Sequence, residues 1–256
     1  MADRQACPLQ VWTARPADFG RTMPRDLDWL LDEAERERAA RFKHEADLRS
    51  YVLGHALRRS VLARWLAIDP REIVFSQQPG GQPVLAAPRE ETAFFSHSCT
   101  RDAVACTVTC LAPVGIDVET AQVPGADEDL LARFVVPGDE GCPHEFTQDE
   151  RSSRFHFYWT ALEAFWKARG QGLADGNPRI EYRKNARGHF EVWLEGDLNA
   201  PHARLFPIGQ TRGSAITLAL RAPRFGSVDA DVRPQLFNGN MQLFNSLSAH
   251  EMLSLR

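Results

Sequence analysis

Between residues 27 and 68 the apolar side chains return at helical spacing. Leu27, Leu30, Leu31 and Ala34 share one face of the helix this spacing predicts, and the charges of DEAERERAARFKHEADLR fill the opposite face. The period continues through SYVLGHALRRSVLARWLAI, with Val52, Leu53, Ala56, Leu57 and Val61 on one side, and Pro70 stops it. REIVFSQ is a short strand, and QPGGQPVL is turn chemistry followed by a second extended run. In AVACTVTCL (103–111), Val104, Cys106, Val108 and Cys110 alternate with small or hydroxyl side chains, which predicts a strand with one buried face. Ala112 and Pro113 turn the chain into VGIDVE (114–119), so the two runs read as a hairpin.

TAQVPGADED reads as a loop, and DLLARFVVPGDE starts helical and breaks at Pro137. Arg151 to Lys167 is helical again, with Phe155, Trp159, Leu162 and Trp166 as its apolar stripe and Gly170 as its C-cap. PRIEYRKN, GHFEVWLE and GSAITLALRA are strands, and beyond Arg224 the periodicity is lost. Each half thus runs from a helical segment into extended runs and ends on an alternating strand. The pattern predicts a pseudo-duplicated α+β protein: an N-terminal half over 1–112, a C-terminal half over 113–224 and a tail over 225–256.

Composition narrows the function. A chain of 256 residues that is 43% hydrophobic can bury one large core or two small ones. The formal net charge of −4 argues against a nucleic-acid binder, so any phosphate site must be built locally. No run of about 18 apolar residues is available to cross a membrane. MADRQACPLQVW lacks the apolar stretch of a secretory leader. Five cysteines without a CxxC pair predict neither a disulfide framework nor a structural zinc site, and a reducing cytoplasm is the expected compartment.

Three groups of residues can carry chemistry. Asp117 and Glu119 lie at i and i+2 of a strand, so both carboxylates share a face. They are either two solvated acids or a pair drawn around a hard cation such as Mg²⁺, which takes one or two carboxylates plus substrate phosphates. Glu163 and Lys167, at i and i+4 of a helix rich in Trp and Phe, are either an ordinary surface pair or a base and a phosphate clamp at a cleft. Phe95-Ser96-His97-Ser98 supplies a hydroxyl and an imidazole able to donate to phosphate oxygens, or a structural turn. Arg36, Arg38, Arg41, Lys43 and Arg49 are interleaved with glutamates, and one or two of them can grip a phosphate. GxGxxG and GxxxxGK[ST] are both absent, which excludes the usual Rossmann and phosphate-loop designs.

The order of these motifs is more specific than any one of them. AARFKHEADLR, then GQP, FSHS, VGIDVE and WTALEAFWKARGQGL, resembles the Sfp-type 4′-phosphopantetheinyl transferases over roughly residues 27–220. The resemblance implies two similar α/β subdomains with the active site at their interface. It implies transfer of phosphopantetheine from coenzyme A to a serine of an acyl or peptidyl carrier protein, with adenosine 3′,5′-bisphosphate as the other product. Carried over by motif, Asp117, Glu119 and Glu163 hold Mg²⁺, and Glu163 is also the base. Lys167 contacts the donor phosphates, Ser96 and His97 sit by its adenosine diphosphate part, and Arg49 and Arg38 hold phosphates at its edge. By the same analogy the protein is a monomer.

Two positions depart from the family pattern. Leu162 and Gln82 stand where the pattern has lysines. Each loss removes a cation from the expected phosphate neighbourhood, a gross effect of roughly 4 kcal/mol for charges about 4 Å apart at an effective dielectric near 20. Coenzyme A is therefore expected to bind more weakly than usual unless another arginine substitutes. The same two residues support a second reading, a non-catalytic carrier-protein or coenzyme A binding module.

Overall fold

The computed structural model describes residues 7–78, 81–88, 93–120, 128–136, 150–174, 176–197, 199–211, 214–221 and 232–245. The chain begins with β1 (Leu9–Ala14), followed by α1 (Met23–Asp26), α2 (Glu33–Ala39) and α3 (Glu45–Leu66). Strands β2 (Val74–Gln77), β3 (Pro83–Ala87), β4 (Phe94–Cys99), β5 (Val104–Thr109) and β6 (Val114–Thr120) come next. Then follow α4 (Glu128–Ala132), α5 (Glu150–Ala168), β7 (Ile180–Lys184), β8 (Phe190–Leu194), β9 (Ala203–Thr211), β10 (Ser214–Arg221), β11 (Pro234–Asn238) and α6 (Met241–Asn245).

One sheet has the order β11-β1-β5-β4, with β1 and β11 parallel and the other pairs antiparallel. A second, antiparallel sheet has the order β6-β10-β9-β8-β7, and β2 and β3 form a separate two-stranded ribbon. Alternation along the strands makes the layers. Trp12, Val104, Cys106 and Val108 pack with Leu53, Leu57 and Val61 of α3. The opposite faces of β1 and β5, through Leu9, Val11 and Ala105, pack against Ile116, Val118, Ile216 and Leu218 of the second sheet. On the far side of that sheet, Ala161, Leu162, Phe165 and Trp166 of α5 share a core with Ile180, Val192 and Leu205. Helix, sheet, sheet and helix are thus stacked, and the two halves meet through an apolar seam.

Several expectations are corrected. The helix expected over 27–68 is interrupted. Asp32 and Glu35 form a reciprocal capping box that starts α2 afresh, and α3 begins again at Glu45. The run 103–111 is not half-exposed: every position of β5 is buried, because the second sheet covers its other face. Nor do β5 and β6 form a hairpin. The chain crosses between the sheets there, and β6 pairs with β10 over Val114–Thr120. The stretch past Arg224 has no period, yet β11 extends the first sheet and Leu243 and Phe244 of α6 enter the first core. Cys7 and Cys110 are joined as a disulfide with Cα atoms 5.9 Å apart, since β1 and β5 pair antiparallel and bring their ends together. The loop over 121–127 and Pro137 lie outside the described residues. No helix among the described residues is long and apolar enough to cross a membrane.

Candidate active site

The site starts with a missing side chain. A Cβ at Gly115 would lie 1.9 Å from the Ala164 carbonyl oxygen and 2.6 Å from the Ala168 nitrogen. Only glycine lets α5 lie this close on β6. Period-two alternation then does the rest. Ile116 and Val118 face the apolar seam, whereas Asp117 and Glu119 face α5, which presents Glu163 and Lys167. Gly170, at φ +72°, ends α5 as expected, with the Gln171 N–H reaching the Trp166 carbonyl at 3.0 Å.

Lys167 pairs with Asp117 rather than with Glu163 one turn earlier. Its Nζ lies 2.6 Å from Asp117 Oδ1, and it donates also to Ser98 Oγ at 3.2 Å and to the Ile116 carbonyl at 3.4 Å. Ser98 Oγ donates to the same Asp117 oxygen at 2.8 Å. Asp117 is 4% exposed, and its other oxygen, Oδ2, is buried with no hydrogen-bond partner. Burial, and then the neighbouring Asp117 and Glu163 charges, push the Glu119 carboxyl up to about 7 against the pull of Lys167. The Trp159 indole beside Glu119 weakly favours its ionised form. Burial also raises Glu163, with Lys167 opposing and Asp117 reinforcing.

Ser96, His97, Glu163 and Lys167 line one cleft of ≈ 230 Å³ together with Gln82 and Gln171. Ser96 accepts the Ile116 N–H at 3.2 Å, so β4 of the first sheet is stitched to β6 of the second beside the cleft. Burial, reinforced by Arg58, His55 and Lys167, lowers the His97 pKa well below the ordinary range, which keeps its imidazole neutral at working pH.

Two predicted donor-binding residues are placed elsewhere. Arg49 does not reach the cleft: its guanidinium donates to the carbonyls of Pro16, Phe19 and Gly20 at 2.6, 2.9 and 3.0 Å. The side chain that the motif assigned to phosphate is instead spent on three carbonyls of this loop, two of which, Pro16 and Gly20, also accept the backbone N–H groups of Phe19 and Met23. Arg38 lines a separate hollow with Glu37, Arg41 and Phe42, and its guanidinium lies 5.7 Å from the Tyr51 ring centroid.

The two departures also separate. Leu162 is fully buried in the second core and takes no cation out of the cleft, whereas Gln82 lines it. Arg169 and Arg221 line an adjoining cavity of ≈ 340 Å³ that shares Gln82, Pro83 and Lys167 with the cleft. Sequence reasoning missed both arginines and Ser98, whose position two residues after Ser96 puts it on the same strand face.

The donor set suits a hard divalent ion. Three carboxylates meet one ammonium, an anionic oxygen is orphaned, and a neighbouring acid is forced toward protonation. Among the described residues no group of three or more His, Cys, Asp or Glu side chains is placed so that it could hold a metal ion by itself. An ion such as Mg²⁺ commonly completes its shell with water and substrate phosphate.

Comparison with known proteins covers both halves. Residues 11–107 match the family described as 4′-phosphopantetheinyl transferase, N-terminal, and residues 113–219 match the 4′-phosphopantetheinyl transferase superfamily. The chain is 31% identical over 165 residues to the 4′-phosphopantetheinyl transferase Sfp of Bacillus subtilis, covering 64% of this chain and 71% of that protein. It is 29% identical over 167 residues to the 4′-phosphopantetheinyl transferase HetI of a Nostoc species, covering 65% and 70%. A Xenopus laevis relative, L-aminoadipate-semialdehyde dehydrogenase-phosphopantetheinyl transferase, is 26% identical over 64% of this chain and 59% of that protein.

Proposed function

The chain belongs to the 4′-phosphopantetheinyl transferase superfamily, in its Sfp-type branch, and from that premise we propose how its cleft transfers phosphopantetheine to a carrier protein. The donor is coenzyme A and the acceptor is a serine hydroxyl of an acyl or peptidyl carrier. The serine oxygen bonds to the phosphorus that bears pantetheine. The bond from that phosphorus to the bridging oxygen breaks, and adenosine 3′,5′-bisphosphate leaves with the electron pair.

Asp117, Glu119 and Glu163 hold Mg²⁺, which when bound neutralises charge on the diphosphate. The observation that carries this reading is the excess of acid, with Asp117 Oδ2 buried and unpartnered among three carboxylates that one lysine serves. Glu163, directly or through a water, accepts the serine proton. Lys167 anchors Asp117 and brings its charge to the cleft wall that receives the diphosphate. Ser96 and neutral His97 line the same wall beside the adenosine diphosphate part. Arg169 and Arg221 supply positive charge on the side where Gln82 has none. Arg38, beside Tyr51, and Arg49, bound to loop carbonyls, take no part in holding the donor. The enzyme acts as a monomer in the cytoplasm.

The test is mass spectrometry of an apo carrier protein incubated with coenzyme A and Mg²⁺. A gain of the phosphopantetheine mass, lost on chelation of the metal, is expected. Binding of carrier or coenzyme A without that gain points instead to a non-catalytic module.

A further inference from the structure

The two oxygens of Asp117 are not equivalent. Oδ1 receives both available donors, Lys167 Nζ at 2.6 Å and Ser98 Oγ at 2.8 Å. Oδ2 receives none and is buried. The proton directions follow from valence. An ammonium donates only, so at 3.2 Å Ser98 Oγ accepts from Lys167 and spends its single proton on Asp117. The result is a closed triangle of Ser98, Lys167 and Asp117 built from β4, α5 and β6, which fixes the carboxylate plane from both halves of the molecule. Leaving a buried anionic oxygen unpaired costs on the order of 1–3 kcal/mol or more. The triangle holds Oδ2 in that costly state rather than letting the carboxylate rotate to share its donors.

We propose that Ser98 is a positioning residue which, with Lys167, commits Asp117 Oδ1 to protein contacts and reserves Oδ2 for a divalent cation. This rests on the metal reading above. Lys167 acts on this account chiefly through the carboxylate, and Ser98 touches neither donor nor acceptor. Groups that orient a metal ligand from behind typically change metal affinity 10- to 100-fold, with little effect on folding.

The experiment is Mn²⁺ binding, followed by electron paramagnetic resonance, to the full chain holding coenzyme A without carrier. Ser98→Ala is expected to weaken Mn²⁺ about 10-fold, and Ser98→Thr, which keeps the hydroxyl, to restore most of the affinity. Transfer by Ser98→Ala should recover as metal is raised, which a merely structural defect would not do. If Ser98→Ala folds poorly, Ser98→Cys keeps the volume, weakens the donor and carries the same test. Mn²⁺ affinity equal to the parent protein in the folded alanine or cysteine variant overturns the role of Ser98. Asp117→Ala separates the two layers. If it too binds Mn²⁺ normally, the metal site itself is misplaced; if it loses Mn²⁺ while Ser98→Ala does not, only the inference about Ser98 fails.

Discussion

Glu35 in the first half and Glu119 in the second are both carboxylates withdrawn from water, and the protein pushes them in opposite directions. Glu35 is 7% exposed and its oxygens are saturated. Oε1 meets Arg58 at 2.6 Å and His55 at 2.8 Å, while Oε2 accepts from Arg59 at 2.7 Å and from the Asp32 N–H at 2.9 Å. Arg59 continues to Asp32 and to the Ile73 carbonyl at 2.7 Å. Burial alone would raise Glu35, but the His55 and Arg59 hydrogen bonds outweigh it and hold the acid well below its usual range. Around Glu119 the balance is reversed, with three acids and one lysine, and its carboxyl is raised to about 7. One cluster closes a core. The other keeps an unmet demand for positive charge, which a bound cation can answer.

The largest contrast is expected from removing one acid of each kind. Asp117→Ala or Glu163→Gln should reduce transfer to a carrier on the order of 10³-fold or more, with thermal unfolding nearly unchanged. Near-normal turnover by either variant would show that the cluster is not the reacting site. Glu35→Ala should do the reverse. It strands Arg58 and Arg59 in the core, so a loss of about 3–5 kcal/mol is expected in denaturant titration. A small loss there would mean that the network is softer than its geometry.

The two helix-strand glycines sharpen the comparison. Gly115→Ala sets a Cβ against the backbone of α5, which cannot step aside without lifting Glu163 and Lys167 off β6. A loss of about 3 kcal/mol is expected together with most of the activity. Gly54→Ala on α3 meets Cys99 Sγ at 2.2 Å, but that is a side-chain atom able to rotate. The gain in helix propensity offsets roughly 1 kcal/mol of the clash, so this variant should stay active. Equal damage at both glycines would remove the distinction.

The smallest effect is on pH dependence. Without metal, the folded state keeps the Glu119 proton up to about 7, whereas the unfolded chain releases it near 4.5. Folding therefore binds a proton in that window, and stability should fall as pH rises through it, by about 1–2 kcal/mol after allowance for solvent screening. Glu119→Gln should flatten the slope, and saturating Mg²⁺ should suppress it by displacing the proton. A metal-free stability curve that rises between these pH values would contradict the sign.

Much of the site can be read before any folding. The period-two placement of Asp117 and Glu119, the one-turn spacing of Glu163 and Lys167 and the stripe of α5 are local facts, because strand and helix geometry dictate which side chains share a face. Ser98 was within reach by the same parity from Ser96, but nothing local says what that face meets. Arg49 resembles every other arginine of its charged segment until the carbonyls of the loop ending at Gly20 are placed beside it. The expected hairpin over 103–119 failed for a related reason. Both runs have strand character, and the choice of partner lay with β1 and β10, far away in the chain. Residues 234–245 carry too few buried positions to show a period; pairing with β1 and packing under α3 give them their structure.

What the order of residues determined by itself was local: element type, facing parity and the motif order that marks the family. What only the tertiary structure decided was which charges meet, that Lys167 closes on Asp117, and that Oδ2 is left unpaired. Local geometry follows from backbone stereochemistry over a few bonds, whereas charge balance depends on which distant elements pack together, and here a single missing Cβ at Gly115 brings α5 onto β6.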